Sequence, residues 1–264
     1  MGAARHAHVK CINQKINIMK KASIVFVLFA MMFVSCTPTA EHNQLSKEEK
    51  AEGWILLFDG EKTDGWRNYG KVTFPAGWII EDGTLKCQGS GRGEAGSNEG
   101  GDILYDKKFS NFHLKMDWKI SEGGNSGIFY LGKEDQAFPY IWMTAPEMQV
   151  LDNERHPDSF LGVDGNRKAG SLYDLIPANP QNAKPAGEWN SIEIISYKGT
   201  IVHKMNGATV LEYHLWTPQW NEMVANSKFP SLNETWADVA AEGFIGLQDH
   251  GDDVWFRNLK IKEL

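Results

Sequence analysis

The sequence predicts an all-β protein, a two-sheet antiparallel β-sandwich with a short helical insertion near residues 218–228. Three observations support this fold class. Apolar residues recur at every second position from Trp54 onward, which is typical of half-buried strands. An Asn-Gly pair at 206–207 separates two such runs, as in a tight hairpin turn. Strand-like and helix-like segments do not alternate, so a parallel sheet with crossover helices is not indicated.

Residues 112–120 give the clearest strand pattern, because five apolar side chains share one face and polar ones share the other. The same alternation, bounded by Gly, Asn and Pro, predicts the remaining strands in chain order. They lie at 54–58, 78–80, 84–88, 103–105, 126–131, 147–151, 171–176, 189–197, 200–205, 209–214, 243–248 and 254–262. Short strands separated by such turns favour a sandwich.

Two segments interrupt the alternation. Residues 218–228 ("PQWNEMVANSK") have helical character, with a proline near the start, and predict a short helix or ordered insertion. Residues 89–102 are rich in glycine and predict a long loop. This loop has no following Gly-Lys-Ser/Thr and no strand–helix context, so it is not a phosphate-binding loop.

The N-terminal segment predicts export. Lys20 and Lys21 precede 13 apolar or small residues that end at Val34, a run too short to span a bilayer and typical of a secretory signal. Ser35 and Cys36 follow, and "FVSC" is similar to a bacterial lipobox. We expect a signal peptide over 1–36 that ends at a lipidated Cys36, a flexible tether over 37–52 and the sandwich domain over 53–264.

This organisation places the mature protein in the bacterial cell envelope, periplasm or outer membrane, with a lipid anchor as its membrane contact. An ordinary signal peptide with an incidental cysteine is the alternative. Met19 begins a more typical signal ("MKKASIVFVLF") than Met1 does, so either is a candidate start.

Charge and cysteine content exclude several classes. The first 36 residues contain five basic residues and no acid, which leaves 22 basic against 34 acidic residues in the rest of the chain. A nucleic-acid partner is not expected, because phosphate backbones need clustered Lys and Arg.

Cys87 is the one cysteine outside the first 36 residues, and its alternating context predicts a buried thiol. The sequence contains no disulfide framework and no cluster of cysteines with zinc-site spacing.

The most informative strand is "PEMQVLDNERH". Glu147 and Gln149 share one face, and Asp152 and His156 follow at the strand exit. Such a strand can place two carboxylates and an amide along a groove, which suits glycoside chemistry because one group gives a proton and another takes it. The alternative is an outer strand whose polar face is simply solvated.

Two further clusters are candidates for ligand contacts. The first, in "GLQDHGDDVWFRN", contains Gln248, His250 and Arg257; the second begins at Asn125 in "GGNSGIFYLG". In both, ordinary turn chemistry is the alternative, since Asn and Asp often stabilise turns through their own side chains.

Metal binding is open at this stage. Glu147, Asp152, His156 and His250 are candidate ligands for a divalent metal, but they lack the spacing of known zinc motifs, so no metal ligand is assigned. Asp249, Asp252 and Asp253 could instead hold a structural calcium, although the EF-hand pattern is absent. A Ser-His-Asp triad is not supported, because no Gly-x-Ser-x-Gly occurs.

Seven fragments in order carry a family resemblance. They are "GWILLFDGEKTDGW", "NSGIFYLG", "EMQVLDN", "AGSLYDL", "GEWNSIEI", "MNGATVLEYH" and "GFIGLQDHGDDVWFRNLKIKEL". From about residue 53 to the end, the chain resembles the 3-keto-disaccharide hydrolase family. The resemblance implies a concanavalin A-like lectin/glucanase fold and action on glycosides whose sugar ring carries a ketone at C3. Hydrolysis would then proceed by proton abstraction at C2, elimination at C1 and hydration.

The resemblance implies site residues by position. Glu147 would act as base or acid, with Asp152 or His156 as its catalytic partner. Contacts to the substrate would come from seven side chains: Asn125, Gln149, Tyr173, Asp174, Gln248, His250 and Arg257. The spacing of "EMQVLDN" is similar to the E-x-D-x-x-E strand of glucanases with this fold. Gln replaces the central Asp and Asp the last Glu, which argues against ordinary retaining chemistry, since that needs two carboxyls about 5–5.5 Å apart.

Trp142 and Trp220 are candidate sugar-stacking platforms, with a place in the core as the alternative for both. At the level of the whole protein, the alternatives are a non-catalytic carbohydrate-binding lipoprotein on the same fold and an ordinary endoglucanase.

Overall fold

The computed structural model describes residues 42–92, 96 and 99–264, which form two antiparallel sheets. The predicted signal peptide, Cys36 and residues 37–41 of the predicted tether lie outside the described residues. The strands are β1 (Ile55–Leu56), β2 (Trp66–Asn68), β3 (Trp78–Glu81), β4 (Thr84–Cys87), β5 (Ile103–Phe109), β6 (Phe112–Ile120), β7 (Asn125–Gly132), β8 (Glu147–Leu151), β9 (Asn190–Tyr197), β10 (Thr200–Met205), β11 (Ala208–His214), β12 (Gly243–Leu247) and β13 (Val254–Glu263).

Helices are few and short. The α-helices are α1 (Lys47–Ala51) and α2 (Pro218–Ala225), and single 3₁₀ turns occupy Ile141–Met143, Pro157–Phe160 and Phe229–Ser231. Within the described part of the chain, no helix has both the length and the apolar character needed to cross a bilayer.

The eight-stranded sheet has the order β11-β10-β9-β6-β13-β4-β3, with β1 also paired to β13, and the five-stranded sheet has the order β2-β5-β12-β7-β8. Their facing sides pack together as one core, to which β6 contributes its alternate apolar residues and β8 contributes Met148 and Val150. The predicted β-sandwich is thereby confirmed. Cys87 is buried in the same core, as its alternating context predicted.

The hairpin and the helical insertion are where the sequence predicted them. Asn206 and Gly207 connect β10 to β11 with φ values of 49° and 83°, the left-handed conformations that a type I′ turn requires. Helix α2 begins after Thr217, whose side chain accepts a hydrogen bond from the N–H of Trp220. Trp220 is 1% exposed and stacks on Tyr213, so it belongs to the core and is not a sugar platform.

Residues 42–52 differ from the predicted tether. Asn43 is buried and exchanges backbone–side-chain hydrogen bonds with Asn258 of β13, and Lys260 contacts Glu49. Ser46 and Glu49 form a capping box that begins α1. These hydrogen bonds and ion pairs hold the segment against the outer side of the eight-stranded sheet. The polar composition of the segment predicted a flexible tether because composition does not show which partners its side chains bind.

The predicted strand at 171–176 is also irregular. Leu172 bridges Met148, and the N–H of Gln149 donates to the carbonyl of Ser171, so the segment borders the outer edge of β8. Asp174 then adopts φ 59° and turns the chain back on itself. The predicted strand is therefore reduced to isolated bridges, because the turn prevents continuous pairing.

Candidate active site

The pocket that collects most of the predicted site residues lies on the outer face of the five-stranded sheet. Met148 and Val150 point into the core, so Glu147 and Gln149 of β8 point outward. The pocket has a volume of about 660 Å³. Its floor comes from the sheet, and the loops that follow β8, β12 and α2, together with the segments that precede β5 and β8, supply the walls.

Glu147 lies against the neighbouring strand β7, where Gly127 leaves it room. A Cβ at Gly127 would come within 2.1 Å of Glu147 Oε1. Gln149, one pleat along, donates its amide N–H to Glu147 Oε1 at 2.9 Å and to the carbonyl of Ser126 at 3.0 Å in the amide orientation that satisfies both of its polar ends. Glu147 is therefore held in one position rather than free to rotate.

The electrostatics of Glu147 favour its neutral form. The residue is only 7% exposed. Burial raises the pKa of Glu147 to about 8; Lys228 opposes this shift, and the negative charges of Asp102 and Asp158 add to it. At neutral pH the carboxyl group consequently carries a proton.

Asp102 is a second buried carboxyl group in the pocket, placed just before β5. Its Oδ1 accepts the N–H of Asp249 at 3.0 Å. Burial raises the pKa of Asp102 to about 7, and the nearby charge of Asp249 contributes to the rise. Asp249 itself accepts backbone N–H groups from Gly101 at 2.6 Å and Gly251 at 3.0 Å. Asp102 therefore titrates near neutral pH.

One wall of the pocket is an ion-pair network. Arg167 Nη1 donates to Asp158 Oδ1 at 2.8 Å, and the Tyr173 hydroxyl donates to Asp158 Oδ2 at 2.8 Å. Lys228 Nζ donates to the Tyr173 hydroxyl at 3.2 Å. Burial raises the pKa of Asp158, but its hydrogen bonds from Arg167 and Tyr173 outweigh burial and lower it. Among the described residues that line the pocket, Lys228 is the only lysine or arginine.

Two histidines lie just after the C-terminal ends of strands that form the pocket floor. His156 follows β8 and His250 follows β12, with ring centroids 5.9 Å apart. Burial lowers the pKa of His156, and the neighbouring His250 lowers it further. Nδ1 of His250 and Oε1 of Gln248 are buried and have no hydrogen-bond partner.

Aromatic side chains form another wall. Tyr140, which is 50% exposed, stacks on Trp142 at 5.6 Å with an interplanar angle of 9°. Trp236 donates its indole N–H to the carbonyl of Trp142 and stacks on Phe229, which also lines the pocket. Trp142 lines the pocket, as the hypothesis of a sugar-stacking platform requires.

The structure brings seven of the ten predicted catalytic and substrate-contacting residues into this pocket. They are Glu147, His156, Asn125, Gln149, Tyr173, Gln248 and His250. The other three do not line it.

Asp152 is a turn residue, not a partner for Glu147. Its carboxylate is 1% exposed and accepts the backbone N–H groups of Gly123 at 2.7 Å and Glu154 at 3.0 Å. Burial raises its pKa, but these hydrogen bonds and Arg155 outweigh burial and lower it. The carboxylate therefore holds together the turns beside β7 and β8.

Asp174 and Arg257 are also displaced from their predicted roles. Asp174 forms ion pairs with Arg167 and Lys228, and so it stabilises the wall of the pocket without lining it. Arg257 lies on the outer side of the eight-stranded sheet, because its neighbour Phe256 points into the core. There it pairs with Asp117 at 3.3 Å and covers the ring of Trp189 at 3.9 Å.

Sequence reasoning missed Asp102, Asp158 and Lys228. Asp102 is the last residue of the predicted glycine-rich loop and Lys228 the last of the helical insertion, so neither lies in a predicted alternating segment. Asp102 does have the same parity as Leu104, which faces outward from β5. That parity is the one signal that could have placed Asp102 on the face of Glu147.

Comparisons with known proteins find relatives over most of the chain. A family model for a 3-keto-alpha-glucoside-1,2-lyase-like domain matches residues 53–262. A 3-keto-disaccharide hydrolase of Bacteroides thetaiotaomicron is 50% identical over 251 residues, which cover 89% of this chain and 87% of that protein.

Two solved structures of candidate glycosyl hydrolases from Parabacteroides distasonis have the same fold. The first is 31% identical, covers 85% of this chain and 100% of its own, and has a TM-score of 0.74. The second is 28% identical, covers 80% of this chain and 99% of its own, and has a TM-score of 0.60. These similarities favour an enzyme acting on glycosidic bonds over a non-catalytic sugar-binding protein, and they show that the chain belongs to the 3-keto-alpha-glucoside-1,2-lyase-like family.

Proposed function

We propose that this enzyme cleaves glycosides whose sugar carries a ketone at C3, by elimination followed by hydration. The observation that carries the proposal is a pair of buried carboxyl groups in one pocket, Glu147 with a pKa of about 8 and Asp102 with a pKa of about 7. Two titratable groups with different environments are the usual means of assigning an acid and a base. The substrate of the 50%-identical relative supports the choice of sugar.

The chemistry follows from the ketone. A C3 carbonyl acidifies the hydrogen on C2, so a base removes that proton and the electron pair passes into an enolate. The enolate expels the C1 substituent, whose oxygen takes a proton, and leaves a C1–C2 double bond conjugated to the ketone. Water then adds to C1 and a proton returns to C2, which gives the free 3-keto sugar and the released alcohol.

Each step has a side chain suited to it. Asp102 is about half ionised at neutral pH, so it serves as the base at C2. Glu147 is protonated at neutral pH, so it serves as the acid at the leaving oxygen. Lys228 brings positive charge to the pocket, where it can stabilise the enolate oxygen on C3.

Binding groups complete the proposal. Asn125 and Gln149 present amides from the floor, and Oε1 of Gln248 is a buried acceptor without a partner that suits a sugar hydroxyl. The stacked rings of Tyr140 and Trp142 offer a flat apolar face beside these polar groups.

The test is release of the chromophore from a chromogenic 3-keto-glucoside. Wild type should release it, and Glu147→Gln should lower kcat by about 10²–10⁴-fold because the proton donor is lost. Glu212→Gln changes a strand glutamate whose side chain is 56% exposed on β11, and it should leave the rate unchanged. Wild type that leaves the 3-keto-glucoside intact, or that prefers the unmodified glucoside, would contradict the proposal.

We also propose that the chain is exported and anchored in the cell envelope by a lipid on Cys36. The support is the sequence "FVSC" after a short apolar run. Metabolic labelling with a fatty-acid analogue should mark wild type and not Cys36→Ala. Equal labelling of both proteins, or retention of both in the cytoplasm, would contradict this localisation.

A further inference from the structure

Three potential metal ligands converge at the edge of the pocket. They are His156, His250 and Asp252, and one ligand atom from each lies within 4.8 Å of the other two. His156 comes from the turn after β8, whereas His250 and Asp252 come from the turn between β12 and β13. Two separate parts of the chain therefore supply the cluster, and both histidines also line the pocket.

An unpartnered nitrogen supports a ligand at this point. His250 Nδ1 is buried and makes no hydrogen bond, and Asp252 Oδ2 is 3.8 Å away, beyond hydrogen-bonding distance. A buried imidazole nitrogen without a partner is costly unless something else binds it. Asp252 Oδ2 also accepts the N–H of Asn125 at 3.0 Å.

We propose that His156, His250 and Asp252 bind one divalent transition-metal ion of the Zn²⁺ or Mn²⁺ type. Two imidazoles and one carboxylate are a ligand set for such ions, whereas Ca²⁺ and Mg²⁺ prefer sites built from oxygen. Because His156 and His250 line the pocket, an ion with these three protein ligands would have further positions available to water or a pocket ligand, as in catalytic rather than structural sites.

The spacing requires a small closure. Metal–ligand bonds of about 2.1 Å place ligand atoms roughly 3.0–3.4 Å apart, so the three side chains need to approach one another by at most about 1.5 Å. They lie on turns and are partly exposed, with His250 at 16% and Asp252 at 23%, which leaves room for such rotations. His156 Nδ1 accepts the N–H of Asp158 at 3.2 Å. That long neutral hydrogen bond is weak and would be exchanged for a metal bond.

The consequence for catalysis rests on the proposed function. An ion at this edge would face the same pocket as Glu147 and could polarise an oxygen of the bound sugar, in addition to the charge of Lys228. The binding itself does not depend on that role.

The experiment measures metal binding by the full chain without substrate. Protein stripped with a chelator is titrated calorimetrically with Zn²⁺, Mn²⁺, Ca²⁺ and Mg²⁺ in separate runs. We expect one Zn²⁺ or Mn²⁺ per chain, and at least about tenfold weaker binding in His250→Ala and in Asp252→Asn. His214→Ala is the matched control, because His214 also lies beside a carboxylate, Glu212 at 3.9 Å, but belongs to no group of three potential ligands among the described residues.

Several results would overturn the site: no stoichiometric binding by wild type, preference for Ca²⁺ or Mg²⁺, unchanged affinity in the two ligand variants, or an equal loss in His214→Ala. Circular dichroism checks that the variants fold, and His156→Ala replaces either one that does not. Metal binding by a protein that leaves 3-keto-glucosides intact would contradict the proposed function alone.

Discussion

Glu147 occupies space that exists only because position 127 is a glycine. The alternation in "EMQVL" was sufficient to predict that Glu147 and Gln149 share a face, since side chains of a strand point to opposite sides in turn. It could not predict burial, which comes from the loops that close over the sheet and gives Glu147 its raised pKa. The residue was therefore predictable, and its protonation state was not.

Gly127→Ala tests this packing. Its Cβ would overlap the Glu147 carboxyl group, at 2.1 Å from Oε1, so the side chain must move out of position. We expect kcat for the 3-keto-glucoside to fall at least about tenfold, because small displacements of a catalytic group are costly. Steady-state kinetics and circular dichroism measure this together. A folded Gly127→Ala protein with the wild-type rate would show that the position of Glu147 is unimportant.

The two carboxyl groups also predict the pH dependence of activity. Asp102 must be ionised, which requires a pH above about 7, and Glu147 must be protonated, which requires a pH below about 8. The profile of kcat/KM should therefore be bell-shaped with its maximum between these values. Asp102→Asn should remove the acid limb along with most of the rate. A rate that keeps rising well above pH 8 would exclude Glu147 as the acid.

At the scale of elements, the turns after strands were harder to interpret than the strands. Asp152 follows β8 directly and has the right residue type for catalysis, but its carboxylate binds backbone N–H groups of two turns. The prediction for Arg257 was wrong for a different reason. Neighbouring side chains of β13 point to opposite sides of the sheet, and β13 belongs to the eight-stranded sheet, whereas the pocket lies on the five-stranded sheet. The residue types near a motif cannot distinguish a carboxylate that stabilises a turn from one that takes part in catalysis, because both are Asp or Glu.

Asp152→Ala distinguishes the two roles. Loss of the hydrogen bonds to Gly123 and Glu154 should lower the free energy of unfolding by about 2–3 kcal/mol, as expected for charged acceptors. The kcat of the folded variant should fall far less than that of Glu147→Gln. Chemical denaturation and kinetics on the same preparation give both values. Unchanged stability with a lost rate would restore Asp152 to the catalytic set.

At the scale of the whole molecule, the pocket depends on contacts between distant parts of the chain. Asp102, Glu147, Lys228 and His250 are brought together by the strand order of the five-stranded sheet and by the helical insertion. The sequence predicted the sandwich because alternation and turns are local signals. The order of strands and the path of the long connections are not local, so Asp102, Asp158 and Lys228 were not predicted.

The core contains a titratable group that links stability to pH. His203 is fully buried, exchanges a hydrogen bond with the Tyr130 hydroxyl at 2.7 Å and contacts the carbonyl of Gly170 at 3.1 Å. Burial lowers the pKa of His203 to about 4. The unfolded chain, with an ordinary histidine, binds the proton more readily, so stability is lost as the pH falls from about 6.5 to about 4.

This loss should amount to about 3 kcal/mol for His203 alone. Unfolding by urea at a series of pH values measures it, and the slope should be smaller in His203→Leu than in wild type and unchanged in His214→Ala, whose histidine is 57% exposed. Parallel pH curves for wild type and His203→Leu would show that His203 does not contribute.

The most direct test of the account follows hydrogen at C2 of the sugar. Wild type is allowed to cleave a 3-keto-glucoside in D₂O, and the released 3-keto sugar is analysed by mass spectrometry at early times, beside a control of the product in buffer without enzyme. Elimination and hydration at the pocket of Glu147 and Asp102 predict one deuterium at C2 for each bond cleaved. Rapid cleavage with no deuterium at C2 would mean direct displacement at C1 and would contradict the mechanism.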